Sequence, residues 1–150
     1  MNANRKEPAL ELLIQTDPDK TVSLKSNFGC VRMIPFTGTA DGQLFHGVIA
    51  PGAVDTQITN PVQVRHMSAR YMLTGTDFTG HPCHIFIQNE GWFSDDAHPK
   101  PWRSVPSFLT DSEALASILA ERRFVGEGVR DEIGLHIRFY AIEAGINGLR

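Results

Sequence analysis

Period-two alternation of apolar and polar residues, in short runs closed by turn residues, constrains this chain more than any other feature. Near the C-terminus Ile133, Leu135, Ile137, Phe139 and Ala141 make one face, while His136, Arg138 and Tyr140 share the other with Gly134 and Ile142. That is a strand with one face on a core. From Val64 to Thr74, Met67, Ala69, Tyr71 and Leu73 alternate with His66, Ser68, Arg70 and Met72. After a turn carrying Gly75, Gly80 and Pro82, the run Cys83–Gln88 reads as the hairpin partner. Further strands are read at Ala9–Gln15, Cys30–Phe36, Gln43–Ala50, Arg103–Phe108 and Arg122–Gly126, for a total of seven or eight.

One segment departs from this pattern. Thr110-Asp111-Ser112-Glu113 is a capping-box signature in which the Thr110 hydroxyl accepts from the Glu113 N–H, and Leu115, Ile118 and Leu119 follow as a helical stripe. It predicts one short amphipathic helix over Asp111–Glu121. Many strands, a single helix, and thirteen Gly and nine Pro to turn the chain point to an all-β closed barrel or a sandwich. Closure removes exposed strand edges, and eight strands leave room for packed side chains or one small ligand. Ser94–Pro101, with two acids and two prolines, reads as a long loop.

Length and charge exclude several partners. At 150 residues, positions 1–150 form a single domain that can bury a sufficient core without disulfide or metal. Fourteen Lys and Arg against seventeen Asp and Glu leave a net charge of -3 and no basic block, so there is no electrostatic footprint for nucleic acid. Met1–Pro8 is polar and unlike a secretory leader, and nowhere do 18 apolar residues run together as a membrane span requires. Cys30 and Cys83 read as packed, reduced thiols, and the bland reading is a cytoplasmic protein.

The chemistry-bearing residues each carry a structural alternative. His81, Cys83 and His84 lie together, but neighbouring strand positions face opposite ways and no metal-ligand spacing occurs, so no metal is expected. No cofactor is expected either; Gly126-Glu127-Gly128 lacks the rest of a phosphate loop and reads as a turn or bulge. In Gly47–Asp55 a strand runs into the Pro51-Gly52 turn, which can aim Asp55 at a barrel mouth as a proton acceptor or donor, or leave it capping the turn's own N–H groups. Arg70 reaches solvent, pairs with a buried acid such as Asp55, or presents its fork to a ligand. Tyr71 is a core residue first and a ligand contact second. Asn89 and Glu90, Trp102 and Arg103, and the stretch Phe124–Arg130 end near turns, which in a barrel converge on a rim.

In this order, Gly47–Asp55, Ala69-Arg70-Tyr71, Ile87–Gly91, Trp102-Arg103 with Pro106 and Phe108, and Phe124–Arg130 resemble a family of small bacterial and fungal proteins catalogued as a domain of unknown function, family thirty-two thirty-seven. The resemblance covers about residues 10–142. It implies an eight-stranded antiparallel closed barrel of the allene oxide cyclase-like type with a ligand-sized lumen, and assembly into a homo-oligomer. Thr56 stands where an aromatic often follows the Asp, Ser68 replaces the usual acid, and Pro101-Trp102-Arg103 replaces Tyr-Phe-Arg, so the aromatic lining is this chain's own.

Two functions fit. One is a cofactor-independent isomerase, cyclase or hydro-lyase acting on a small apolar phenolic or carbonyl metabolite, with Asp55, Arg70, Arg103 and Arg130 as catalytic candidates. The other is a non-catalytic binder or carrier of a lipophilic compound, in which Tyr71, Phe86, Asn89, Glu90 and Trp102 contact the ligand. A third possibility is an assembly module whose barrel is filled by its own side chains.

Overall fold

The computed structural model describes residues 7–94, 99, 101–121 and 123–142. Its strands are β1 (Leu10–Thr16), β2 (Val22–Ser26), β3 (Gly29–Asp41), β4 (Phe45–Ile49), β5 (Val54–Thr59), β6 (Val64–Asp77), β7 (Pro82–Ser94), β8 (Trp102–Thr110), β9 (Arg123–Arg130) and β10 (Leu135–Ile142). The helix α1 (Glu113–Glu121) lies between β8 and β9. Neighbours run antiparallel in the order β1-β10-β9-β8-β7-β6-β4-β3, and β1 pairs back onto β3, which closes the sheet.

The result is a closed eight-stranded antiparallel barrel because two of its staves are shared. Both β4 and β5 lie between β3 and β6, as one stave broken at the Pro51-Gly52 turn where Gly52 takes φ +102°. Likewise β2 pairs with the first half of β3 on the edge that β1 uses further along. Neither β2 nor β5 is read as a strand from the sequence. All of β2 is exposed, so it has no buried face to imprint an alternation.

Inward parity is set by the apolar residues the alternation predicted. Leu12, Phe45, Leu73, Ile85, Ile87 and Phe139 are wholly buried, each contributing roughly 1.5–3 kcal/mol by burial. The helix lies across one end, where Leu115 and Leu119 pack among Leu10, Phe45, Ile85, Phe108, Phe124 and Phe139. Its N-cap is Ser112, whose Oγ accepts from the Leu115 N–H at 3.1 Å, and not Thr110 as the capping-box reading held. Thr110 instead donates to the His84 carbonyl oxygen at 2.7 Å and accepts from the Ser112 N–H at 3.1 Å.

Gly126-Glu127-Gly128 is neither turn nor bulge but the middle of β9. Its glycines face inward, where a Cβ on Gly126 would strike Phe139 and one on Gly128 would strike the Trp102 indole. Most of the expected Ser94–Pro101 loop lies outside the described residues, and Ser94 itself still belongs to β7. Among the described residues no helix is long and apolar enough to cross a membrane.

Candidate functional site

The end away from α1 opens into a cavity of about 570 Å³. Register arranges its wall in rows, because paired inward residues on neighbouring strands stand side by side. Deepest is Tyr71 beside Ile87. The next row carries Asp55, Ala69 and Asn89 across β5, β6 and β7. Above it stand Gln57 and Met67, with Arg32 exposed beside Gln57, and nearest the mouth come Arg65 and Phe93. Successive rows are about 6.6–6.8 Å apart along a strand.

Ala69 makes the middle row a site. Two strand spacings, roughly 9–10 Å, separate the backbones that carry Asp55 and Asn89, and only a methyl group lies between them. A ligand group can therefore sit between the carboxyl and the carboxamide. Three buried polar atoms of residues that line this space have no hydrogen-bond partner: Asp55 Oδ1, Asn89 Oδ1 and the Tyr71 hydroxyl. Asn89 and Tyr71 are 2% and 3% exposed, so any further partner must come from inside the cavity. Buried polar atoms are normally paired, and unpaired ones gathered on one cavity mark a place built for something else.

Asp55 accepts one bond, from Gln57 Nε2 to Oδ2 at 2.9 Å. Burial in the wall pushes its pKa up, against that hydrogen bond and the positive charges of Arg32 and Arg65. The carboxyl is thereby moved toward the range where it can both give and take a proton. Burial, reinforced by the Asp55 charge, also pushes the Tyr71 phenol upward, so it remains a protonated donor. Phe36 meets Tyr71 edge-on at 5.2 Å, and Trp102, seated on Gly128, meets Phe93 edge-on at 6.3 Å.

Five of the residues singled out in the sequence come together here: Asp55, Tyr71, Asn89, Trp102 and, at the rim, Arg130. The structure puts the other four outside. Arg70 and Phe86 have the opposite parity to Tyr71 and Ile87, and Arg70 is exposed. Arg103 is exposed on the outer face, 3.6 Å from Glu127. Glu90 also faces outward, where burial alone would raise its pKa but bonds from Ser68, Gln88 and His66 outweigh it and hold the carboxyl below the usual range. Asp55 does not cap the Pro51-Gly52 turn.

Gln57 and Arg65 line the cavity without having been singled out in the sequence, and Arg32 lies just outside, close enough for its charge to act on Asp55. Arg65 was within reach of the sequence reading, since it shares the parity of Met67, Ala69 and Tyr71. Gln57 and Arg32 depend on the register of β5, which the sequence did not reveal. His81, Cys83 and His84, neighbours in the chain, do not share a face: Cys83 is buried, and His84 faces out to pair with Asp111 at 2.7 Å.

The model of the family described as "Protein of unknown function (DUF3237)" matches residues 5–142. No protein of curated function matches the sequence. Among solved structures, the chain is similar to a protein of unknown function from Clostridium acetobutylicum, with TM-score 0.72 at 25% identity over 91% of this chain and 95% of that one. It is also similar to a conserved protein of unknown function from Rhodopseudomonas palustris, with TM-score 0.71 at 20% identity over 91% and 96%. A protein from Acinetobacter baumannii described as β-barrel like gives TM-score 0.69 at 21% identity over 91% and 94%. With the sequence match spanning the barrel and the fold shared by these neighbours, the chain belongs to the DUF3237 family of proteins of unknown function.

Proposed function

We propose that this barrel binds a small molecule in its lumen and acts on it as a cofactor-independent isomerase, cyclase or hydro-lyase, the substrate being a small apolar metabolite with a phenol or carbonyl group. The observation that carries this reading is the meeting of the Asp55, Tyr71 and Asn89 oxygens, all lacking partners, on one cavity of about 570 Å³. Asp55 moves the proton, the Tyr71 hydroxyl donates to the oxygen on which charge develops, Asn89 Oδ1 accepts from a hydroxyl or N–H of the substrate, and the walls fix the conformation of the reacting chain. Arg130 at the rim is kept as a binding group, whereas Arg70 and Arg103 face away and are not assigned a part.

A carrier role is favoured by one specific feature. The Tyr71 phenol is held firmly protonated, so Asp55 is the one carboxyl of the cavity wall, among the described residues, left to exchange a proton with a ligand. Native mass spectrometry of the purified protein identifies the bound compound, and prolonged incubation decides between the readings. A compound recovered altered supports catalysis, and one recovered intact supports carriage. If Asp55→Asn turns the identified compound over at the full rate, the proton-transfer role is lost.

The two unpaired thiols support a cytoplasmic setting. Assembly into a homo-oligomer is supported by the outer face, where Leu24, Val31, Ile58, His66 and Trp92 stand in one registered row and Leu24, Ile58 and Trp92 are about half exposed. A monomer by light scattering at assay concentration refutes it.

A further inference from the structure

The lumen is graded along its depth, and the grading names a ligand class. This step rests on the small-molecule reading above. At the deep end, Asp55 Oδ1 and Asn89 Oδ1 are acceptors without donors, and the Tyr71 hydroxyl can complete the set by donating or accepting. What satisfies two open acceptors is a hydroxyl or N–H group. A ketone or ether oxygen there would leave both acceptors as they are.

Toward the mouth the sign of the charge reverses. Arg65 stands one row above Met67 and two above Ala69, its guanidinium carbon 5.5 Å from the centre of the Phe93 ring, which holds it at the opening. Arg32 pairs with Gln57, one row above Asp55, where it is exposed at the rim, and its charge acts on the Asp55 carboxyl. Arg130 stands on the opposite wall. Among the described residues of the cavity wall, Asp55 is the lone carboxyl against the guanidinium groups of Arg65 and Arg130, and Arg32 lies exposed just outside that wall. An arginine is a fork for carboxylates, and several around one opening raise the local concentration of anions.

We propose that the ligand is a small amphipathic carboxylate, its carboxylate held at the mouth by Arg32 and Arg65 and its far end, a hydroxyl or N–H group, shared by Asp55, Asn89 and Tyr71. Arg65 stands two rows of about 6.6–6.8 Å and Arg32 one such row above Asp55, so with the reach of their side chains the two polar ends lie roughly 8–10 Å apart. The apolar stretch between them lies against Met67, Ala69, Phe36 and Trp102. An aromatic ring carrying a short acid chain on one side and a hydroxyl on the other has these dimensions.

Calorimetric titration with three probes tests this: para-hydroxyphenylpropanoate, its carboxyl methyl ester and its phenol methyl ether. At low salt the free acid binds about tenfold tighter than the ester, and tighter than the ether. Added salt weakens the acid and leaves the ester unchanged. Arg32→Gln and Arg65→Gln each remove most of the acid's advantage without affecting the ester, and Arg32, exposed at the rim, can be changed without disturbing the core. An ester that binds as well as the acid, or an advantage that survives both substitutions, overturns the proposal. The uncharged dye Nile red separates this failure from that of the lumen itself. If the dye is taken up in competition with the ester, the barrel binds small molecules and only the carboxylate assignment falls. If neither the dye nor any probe enters, the small-molecule reading falls with it.

Discussion

At the end crossed by α1, Leu115, Phe45, Phe108, Phe124 and Phe139 close until about 10 Å³ is left, while at the other end the same strands leave about 570 Å³. Most polar groups follow the same division, Ser104 Oγ near Phe139 being an unpartnered exception. Asp77, at the closed end, accepts from the Thr79 N–H and hydroxyl, from Ser112 Oγ and from the His81 N–H. At the open end Asp55, Asn89 and Tyr71 each keep an oxygen without a partner. An unmade bond on a buried polar group costs roughly 1–3 kcal/mol, so the open end is held at the expense of stability and the closed end supplies it. The difference locates function by what the fold leaves unsatisfied.

The largest expected effect is at the plug. Leu115 is wholly buried, so Leu115→Ala removes its packing and leaves a cavity among aromatic rings, a loss of about 2–5 kcal/mol in urea unfolding with the slope unchanged. A loss below about 1 kcal/mol would mean that the helix only rests on the barrel and that the two ends differ less than described.

Next comes the cap. Ser112 accepts from the Leu115 N–H and donates to Asp77 Oδ2 at 2.7 Å, joining the helix start to the β6–β7 turn. Ser112→Ala costs about 0.5–2 kcal/mol, measured the same way. It also has a pH signature. Hydrogen bonds from Thr79 and Ser112 hold the Asp77 carboxyl well below its usual range, so its contribution is present above the ordinary aspartate pKa and lost as pH falls through the native value. Without the Ser112 donor, acid unfolding shifts to higher pH. An unmoved acid limb would detach Asp77 from the stability of this end.

Most of the closed end was legible in the sequence, and about half of the open end. The core pattern around Leu73, Ile85, Ile137 and Phe139 could be read because burial of one face imposes a strict alternation. The helix could be read from Leu115, Ile118 and Leu119, although its cap shifted by two residues because Thr110 is drawn to the His84 carbonyl of the neighbouring strand, a contact no local motif records. At the open end parity was the decisive information. Applied strictly, it puts Tyr71 inside and Arg70 outside, and Asn89 inside and Glu90 outside. The sequence reading instead grouped residues by nearness along the chain. The row joining Asp55 to Asn89 through Ala69 rests on register between three strands, which single-strand periodicity does not carry. Likewise Gly128 reads as flexibility in the sequence, whereas in β9 it is the seat of the Trp102 ring.

The smallest change has the opposite sign. Burial raises the Asp55 pKa, so the native protein holds this proton more tightly than the unfolded chain does. Stability from this group is therefore fullest below the ordinary aspartate pKa and declines as pH rises through the native value, where the carboxylate must be charged inside the wall. Asp55→Asn removes that decline while keeping the shape of the side chain and its contact with Gln57. The variant is expected to melt higher than the parent at neutral pH, each kcal/mol recovered reading as about 2–4 °C, and to match it in acid below the ordinary aspartate range. The parent then shows a fall in melting temperature between acid and neutral pH that the variant lacks. Should Asp55→Asn lower the melting point at neutral pH, the carboxylate would be a stabilising group like Asp77, and the contrast between an end that is satisfied and an end that is held open would fail at its central residue.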